Sequence, residues 1–389
     1  MWCELFADRT NWNLAPNRLS EALSRHRSAG EPLIDLTASN PTECGFIYDR
    51  EKILSALANP LSLSYEPQPK GLLAARESVA GYYASRDDRV NANDILLTTS
   101  TSEAYSFAFC VLCNPGDEIL IPTPSYPLFD LLADIQDVRL VRYSLIYDHG
   151  WQIDFHALEA ALTTRTRAII VVHPNNPTGH FTKPEERWRL NQLCAARQIA
   201  VIADEVFLDF SICANPQNSW AANSDGLTFT MSGLSKICGL PQMKVAWLVT
   251  SGPEELKAQA LDRLEVIADT YLSMNAPIQC AIPEFLGQRH EFQRQLVSRV
   301  RGNLVELDRQ LSAQKTCSRF ELEGGWYAVL RVPATRTDEE VALDLLEKKG
   351  VYVHPGHFYD FPSDGYLIVS LIAPEREFAE GVKRLLSIF

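Results

Sequence analysis

The sequence has 389 residues, of which 46% are hydrophobic and 22% are charged, proportions typical of a globular enzyme of two or three domains. Its formal net charge of −13 argues against a protein that binds nucleic acid or anionic lipid, since both need a cationic face. No apolar run approaches the roughly 20 residues of a membrane span. Without a recognisable signal peptide, the nine scattered cysteines indicate reduced thiols, and we expect a cytoplasmic protein.

Short apolar runs alternate with amphipathic helices between residues 70 and 250. The pattern predicts strands at 95–99, 118–122, 138–143, 167–172, 199–204, 227–231 and 245–250. It predicts helices at 70–85, 102–113, 126–135, 154–162 and 184–197. This alternation is typical of an α/β fold with a mostly parallel sheet, and the continuous apolar strands indicate helices on both faces.

A different pattern flanks this region. A helix near 17–29 precedes it, and charged helices with short strands follow residue 285, which indicates a smaller α+β domain. These later segments are helices at 289–313 and 375–387 and strands at 326–332, 351–353 and 366–371. We therefore predict a large domain at 50–285 and a small domain formed by 1–49 and 286–389.

Ligands of open α/β sheets bind beyond the carboxyl ends of the strands, so the residues at those positions are candidates for a site. Ser100, Thr101 and Ser102 follow strand 95–99 and begin a helix, where they could bind a phosphate or simply cap the helix. Tyr126 follows the next strand and could stack on a planar ligand or merely contribute to packing.

Three further strand ends carry an amide, a carboxylate and an amine. Asn176 lies in the turn HPNNPTG, and Asp204 ends a buried strand, where a carboxylate needs a partner. Lys236 follows strand 227–231, where desolvation would favour its neutral, nucleophilic form. Each signal alone is weak. Together they are the set that binds pyridoxal 5'-phosphate (PLP), with the lysine as Schiff-base partner and the carboxylate beside the pyridine nitrogen.

With these motifs the sequence resembles the class I/II aminotransferases, the fold-type I PLP-dependent enzymes of the aspartate aminotransferase superfamily, from about Ile34 to the C-terminus. The resemblance implies a large α/β/α domain, a small α+β domain, and amino-group transfer between an amino acid and a 2-oxo acid through an aldimine of Lys236. Lys236 and Asp204 are the implied catalytic residues. The implied cofactor-binding residues are Ser100, Thr101, Ser102, Tyr126, Asn176, Asp204, Ser235, Lys236, Lys244 and Tyr65.

The resemblance also implies a homodimer with shared active sites. Tyr65, in YEPQPKG, resembles the tyrosine that reaches the phosphate bound by the neighbouring subunit. The implied partners are therefore a second copy of the chain and small-molecule amino-acid and keto-acid substrates, with neither nucleic acid nor membrane.

Five positions depart from the family pattern. The phosphate-binding turn has Ser100 where glycine is usual, and Gly233 replaces a serine three residues before the lysine. Phe207 stands for a tyrosine that donates to the cofactor, and Lys244 for an arginine that grips the phosphate. The most consequential departure is Ile368, in GYLIVSL, because an arginine there usually forms a bidentate pair with the substrate carboxylate.

Without that arginine, either another group binds the carboxylate or the substrate differs. Ser39, Arg331 and His357 are the candidate substrate-binding residues, although Arg331 could equally be a solvated charge at a strand edge. His354 and His357 form an HxxH, but no carboxylate or cysteine cluster accompanies them, and we expect no metal site. Two alternatives stay open: a PLP-dependent lyase, decarboxylase or amine transaminase, and a non-catalytic PLP-fold sensor.

Overall fold

The computed structural model describes residues 5–213 and 218–389. In these residues the strands are β1 (Ile34–Asp35), β2 (Ile95–Thr98), β3 (Glu118–Thr123), β4 (Arg139–Tyr147), β5 (Trp151–Ile153), β6 (Thr166–Val172), β7 (Ala200–Asp204), β8 (Thr228–Gly233), β9 (Ala246–Ser251), β10 (Ser318–Arg319), β11 (Tyr327–Arg331), β12 (Val351–Tyr352), β13 (His354–Pro355) and β14 (Tyr366–Ser370). The helices are α1 (Arg18–Ser28), α2 (Arg50–Ala56), α3 (Leu73–Ala84), α4 (Thr101–Leu112), α5 (Phe129–Ile135), α6 (Phe155–Ala161), α7 (Pro184–Arg197), α8 (Leu234–Ile237), α9 (Glu254–Tyr271), α10 (Ala276–Ser312), α11 (Asp338–Lys349) and α12 (Glu375–Leu386).

The main sheet has eight strands in the order β2-β9-β8-β7-β6-β3-β4-β5. Strands β8, β7, β6, β3 and β4 are parallel to one another, whereas β9 and β5 run antiparallel to their neighbours. Since β9 is antiparallel to both β2 and β8, β2 runs in the same direction as β8. The carboxyl ends of β2, β3, β6, β7 and β8 therefore meet at one edge of the sheet.

Helices cover both faces of this sheet, which is why its strands are apolar throughout. Alternate side chains of β6 enter opposite clusters: Ile169 and Val171 pack on the side of α6 and α7, and Ile170 packs on the side of α4, α5 and α9. The predicted α/β/α arrangement is confirmed. Among the described residues, no helix combines the length and apolarity that a membrane crossing requires.

A smaller sheet, in the order β10-β11-β14-β13, lies in the C-terminal part of the chain. The N-terminal segment joins this part, because β1 pairs in parallel with β12, and Gly381 of α12 lets the side chains of Ile34 and Leu36 approach closely. Helix α10 runs without interruption across residue 285. The domain boundaries at 50 and 285 stay a prediction, and residues 1–4 of the small domain lie outside the described residues.

Candidate active site

The parallel strands bring the predicted residues together at one edge of the main sheet. Val172 of β6 pairs with Asp204 of β7, and Asp204 pairs with Met231 of β8. Asn176 lies four residues after Val172, and Lys236 lies five residues after Met231. The loop after β6 is also fixed to β7, since the His173 N–H donates to the Asp204 carbonyl at 2.7 Å.

Lys236 lies in the short helix α8, directly after β8, and is half-buried. Its Nζ lies 4.7 Å from the centroid of the Trp326 ring and 5.6 Å from that of Phe207. Burial lowers the pKa of Lys236 to about 8, and the charge of Asp204 opposes this shift only in part. A large fraction of the amine is therefore neutral near pH 8, as a nucleophile or base requires.

Asp204 is held by two hydrogen bonds. The Val206 N–H donates to Oδ1 at 3.1 Å, and the Tyr105 hydroxyl donates to Oδ2 at 3.0 Å. Burial raises the pKa of Asp204, while both hydrogen bonds and the charge of Lys236 act in the opposite direction. The sequence analysis missed Tyr105. Its position one helical turn after Thr101, on the same face of α4, is the signal that could have found it.

Asn176 is buried, and its Oδ1 has no hydrogen-bond partner among the described residues. A buried amide without partners is costly unless a ligand satisfies it. The amide oxygen and nitrogen exchange places by rotation about the side chain, so this group can present either an acceptor or a donor.

Ser100 is the N-cap residue of α4, and its hydroxyl accepts from the Glu103 N–H at 3.1 Å. The Glu103 carboxylate accepts from the Thr99 N–H rather than from Ser100, so the capping box is incomplete. The capping interpretation is thus correct for the Ser100 hydroxyl. Thr101 and Ser102 occupy the first turn, where the backbone N–H groups of a helix have no intrahelical partner and attract anions.

These residues fit PLP. Lys236 offers an amine for its aldehyde, Asp204 offers an anion for its pyridine nitrogen, and Asn176 offers an amide for its phenolic oxygen. The N-terminus of α4 suits its phosphate. Tyr126 follows β3, is 45% exposed, and lies close enough to Asp204 for the carboxylate to raise the pKa of its hydroxyl, in addition to the larger effect of burial.

Four other predicted residues are exposed. Lys244 is exposed, with a left-handed φ of 52°, and Tyr65 is 84% exposed. Arg331 is exposed at the last position of β11, about 13 Å along the strand from Tyr327 at its first position. His357 is exposed in the 3-10 turn Gly356–Tyr359, where its ring contacts Phe358. Neither Arg331 nor His357 is brought to Lys236.

Two other predicted residues, Ser39 and Ser235, lie near the cluster. Ser39 is exposed, and its side chain lies close enough to the Tyr327 hydroxyl to lower the pKa of that group, against the larger effect of burial. The Tyr327 ring lies 6.3 Å from that of Phe207, which in turn faces Lys236. Ser235 precedes Lys236 in α8 and is half-buried.

The fold and the lysine–carboxylate pair define a PLP-dependent transferase, and comparison of the sequence with protein families specifies which one. The chain belongs to the family described as aminotransferase class I and II, whose model matches residues 31–384. The predicted family, fold type, cofactor and reaction class are therefore confirmed.

Named relatives cover nearly the whole chain. Glutamate-pyruvate aminotransferase AlaA of Haemophilus influenzae is 27% identical over 363 residues, which span 90% of this chain and 89% of the relative. Alanine aminotransferase of Mycobacterium tuberculosis is 28% identical over 378 residues, which span 93% and 86%. The solved structure of alanine aminotransferase from Pyrococcus furiosus superposes with a TM-score of 0.90 at 22% identity and covers 98% of this chain and 99% of that one.

The lowered pKa of Lys236 predicts how the apoprotein takes up PLP. Only a neutral amine attacks an aldehyde, and burial disfavours the ammonium form, so its pKa lies at about 8 instead of 10.5. The association rate should therefore rise about tenfold per pH unit below pH 8 and level off above it. Stopped-flow absorbance of the reconstitution measures this rate, and a rate that still rises through pH 10 would contradict the prediction.

Proposed function

We propose that the enzyme transfers the amino group between a neutral α-amino acid, with L-alanine the first to test, and a 2-oxo acid. The supporting observation is the family's reaction class together with the names of relatives that cover nearly the whole chain. Both relatives described above are named for alanine or pyruvate.

In this proposal Lys236 is the catalytic base. Bound PLP supplies an aldehyde that binds the substrate amine and a ring that accepts electrons. With PLP bound, the neutral Nζ of Lys236 would accept the proton of the substrate Cα. The rings of Phe207 and Trp326 lie beside Nζ, and burial of the amine lowers its pKa to about 8.

Asp204 is the proposed anchor of the pyridine nitrogen. Its carboxylate holds a proton on that nitrogen, and the hydrogen bonds from Val206 and Tyr105 fix its orientation. Asn176 is proposed to bind the phenolic oxygen, and Ser100, Thr101, Ser102, Ser235 and Lys244 to surround the phosphate. Because Phe207 carries no hydroxyl, Asn176 is the main donor in this arrangement.

Single-turnover absorbance tests the function. L-alanine added to the holoenzyme should remove the visible absorption of the bound cofactor, with release of one pyruvate per site, and added pyruvate should restore it. The relatives favour transamination over elimination or decarboxylation. Formation of pyruvate and ammonia from serine or cysteine without a keto acid, or release of carbon dioxide, would overturn the proposal.

We further propose a homodimer in which Tyr65 completes the phosphate site of the other subunit. Tyr65 is 84% exposed, and Leu61 and Leu63 beside it are 71% and 91% exposed. A groove lined by this segment continues to Leu272, which is 50% exposed. Apolar residues this exposed over one contiguous region are typical of a protein interface.

Coexpression of two defective subunits tests this sharing. Subunits with Lys236→Ala and subunits with Tyr65→Ala should each give little activity alone. Hybrid dimers should regain one intact site, so random pairing restores about a quarter of the sites. Hybrids without gain would contradict a shared site, while sedimentation of the wild type reports the dimer itself.

We also propose that the enzyme works in the cytoplasm. Cys44, Cys194, Cys238 and Cys317 are free and buried in the described part of the chain, a state that a reducing compartment maintains. Fractionation of cells that produce the tagged protein tests the location.

A further inference from the structure

Ile368 lies at the position where the family resemblance places the carboxylate-binding arginine. It is 1% exposed in the middle of β14, opposite Val329 of β11 on one side and His354 of β13 on the other. An isoleucine side chain cannot replace the guanidinium of an arginine at this position. A substrate carboxylate in this enzyme needs a different set of donors.

Hydroxyl groups surround this position. Tyr327 lies two residues before Val329 in β11 and therefore on the same face of the sheet, which makes it the diagonal neighbour of Ile368. The Ser39 side chain lies beside the Tyr327 hydroxyl and lowers its pKa, against the larger effect of burial. The segment that contains Ser39 is fixed to β14, the strand of Ile368, since the Ser370 hydroxyl donates to the Ala38 carbonyl at 2.6 Å.

The hydroxyl pair also lies close to the reacting centre. One aromatic ring separates Tyr327 from Lys236, because Phe207 contacts Tyr327 at 6.3 Å between centroids and its own centroid lies 5.6 Å from Nζ. Tyr126, the proposed stacking residue, is near enough to contribute to the electrostatic environment of Tyr327. A substrate held by Tyr327 would therefore lie beside the cofactor.

Tyr327 and Tyr359 are both buried in this part of the site. The groups that act on the Tyr327 hydroxyl include the Tyr126 hydroxyl and the Cys44 thiol, and the Tyr359 hydroxyl lies 3.1 Å from Nδ1 of His354. Burial raises the pKa of both tyrosines, so they stay protonated and able to donate. His354 is a poorer candidate, because its Nδ1 is engaged with the Tyr359 hydroxyl at 3.1 Å and burial lowers its pKa.

We propose that the hydroxyls of Tyr327 and Ser39 bind the α-carboxylate of the substrate, as a neutral pair in place of the arginine. The inference rests on the proposed function and specifies how that function selects its substrate. Neutral donors bind a carboxylate less strongly than a guanidinium does. The enzyme should therefore have a high KM for its amino acid, with little dependence on ionic strength.

L-alanine and ethylamine test the role of the pair, since they differ only by the carboxylate. Tyr327→Phe should lower kcat/KM for L-alanine by about 10- to 100-fold, the effect of one hydrogen bond to a charged group. Ser39→Ala should act in the same direction. Neither change should alter kcat/KM for ethylamine by more than about twofold, the variation expected for a contact that this substrate does not make.

A second measurement does not depend on turnover of the variant. Propionate has the carboxylate of alanine without its amine, and its inhibition constant against the holoenzyme should rise about tenfold in Tyr327→Phe. Tyr366→Phe is the matched control, because Tyr366 lies in the same sheet, opposite Arg331 at the end of β11 away from Tyr327. It should leave both constants unchanged.

Two outcomes would overturn the inference while transamination stands. Equal losses for L-alanine and ethylamine in Tyr327→Phe would assign the residue a structural role. A wild type that uses ethylamine as well as L-alanine would show that the carboxylate is not recognised. Failure of the proposed function is separate, since the wild type would then release no pyruvate from L-alanine.

Discussion

Replacing Lys236 by alanine should lower transamination of L-alanine by at least about 1,000-fold, because the variant loses both the amine that joins the aldehyde and the base that moves the Cα proton. Borohydride reduction followed by mass spectrometry gives an independent measurement. The wild type should retain cofactor mass on the peptide that contains Lys236, and the variant should not.

Lys315→Ala is the matched control, because Lys315 is exposed in the turn after α10 and distant in sequence from every site element. It should keep full activity and full labelling of Lys236. Cofactor mass on another lysine in the wild type would contradict the assignment of Lys236.

Replacing Asp204 by asparagine should lower kcat/KM by about 100- to 1,000-fold, the usual cost of removing one preorganised charge from an active site. Asparagine keeps the shape, and its one amide oxygen can still accept from the Val206 N–H while its NH2 group donates to the Tyr105 hydroxyl oxygen, but a neutral amide does not hold a proton on the pyridine nitrogen. The nitrogen-15 shift of labelled PLP should therefore change from the protonated to the unprotonated value in the variant.

Asp262→Asn provides the comparison for this substitution, since Asp262 is exposed on α9. Its activity and its nitrogen shift should equal those of the wild type. A protonated pyridine nitrogen in Asp204→Asn would mean that another group stabilises the ring.

The fold was predictable because hydrophobic periodicity is a local property of the chain. Helix α7 begins and ends at the predicted residues, and β3, β6 and β7 lie within one residue of their predicted bounds. The prediction missed the antiparallel direction of β9, because strand direction depends on the connections between strands and not on composition. It also missed α9, an amphipathic helix that packs on α4.

Residues of the candidate site were predictable where a charged side chain follows a buried strand. Lys236 and Asp204 follow buried strands, and charged side chains there require an explanation from the sequence alone. Tyr105 was not predictable in the same way, since a tyrosine in an apolar helix also reads as a core residue. Arg331 lies in a strand that was predicted correctly, but it occupies the end of β11 that is farther from Lys236.

Helix α4 connects the two ends of the proposed cofactor site. Its first turn follows Ser100, and one turn later Tyr105 donates to Asp204. The phosphate end and the pyridine end are thus set by one rigid body of about 1.5 Å rise per residue. A change in the length of this turn would move both ends at once, so cofactor affinity and acidity of the ring should vary together among related enzymes. The first two turns of α4 thereby set the distance between the proposed phosphate-binding and pyridine-binding ends of the site.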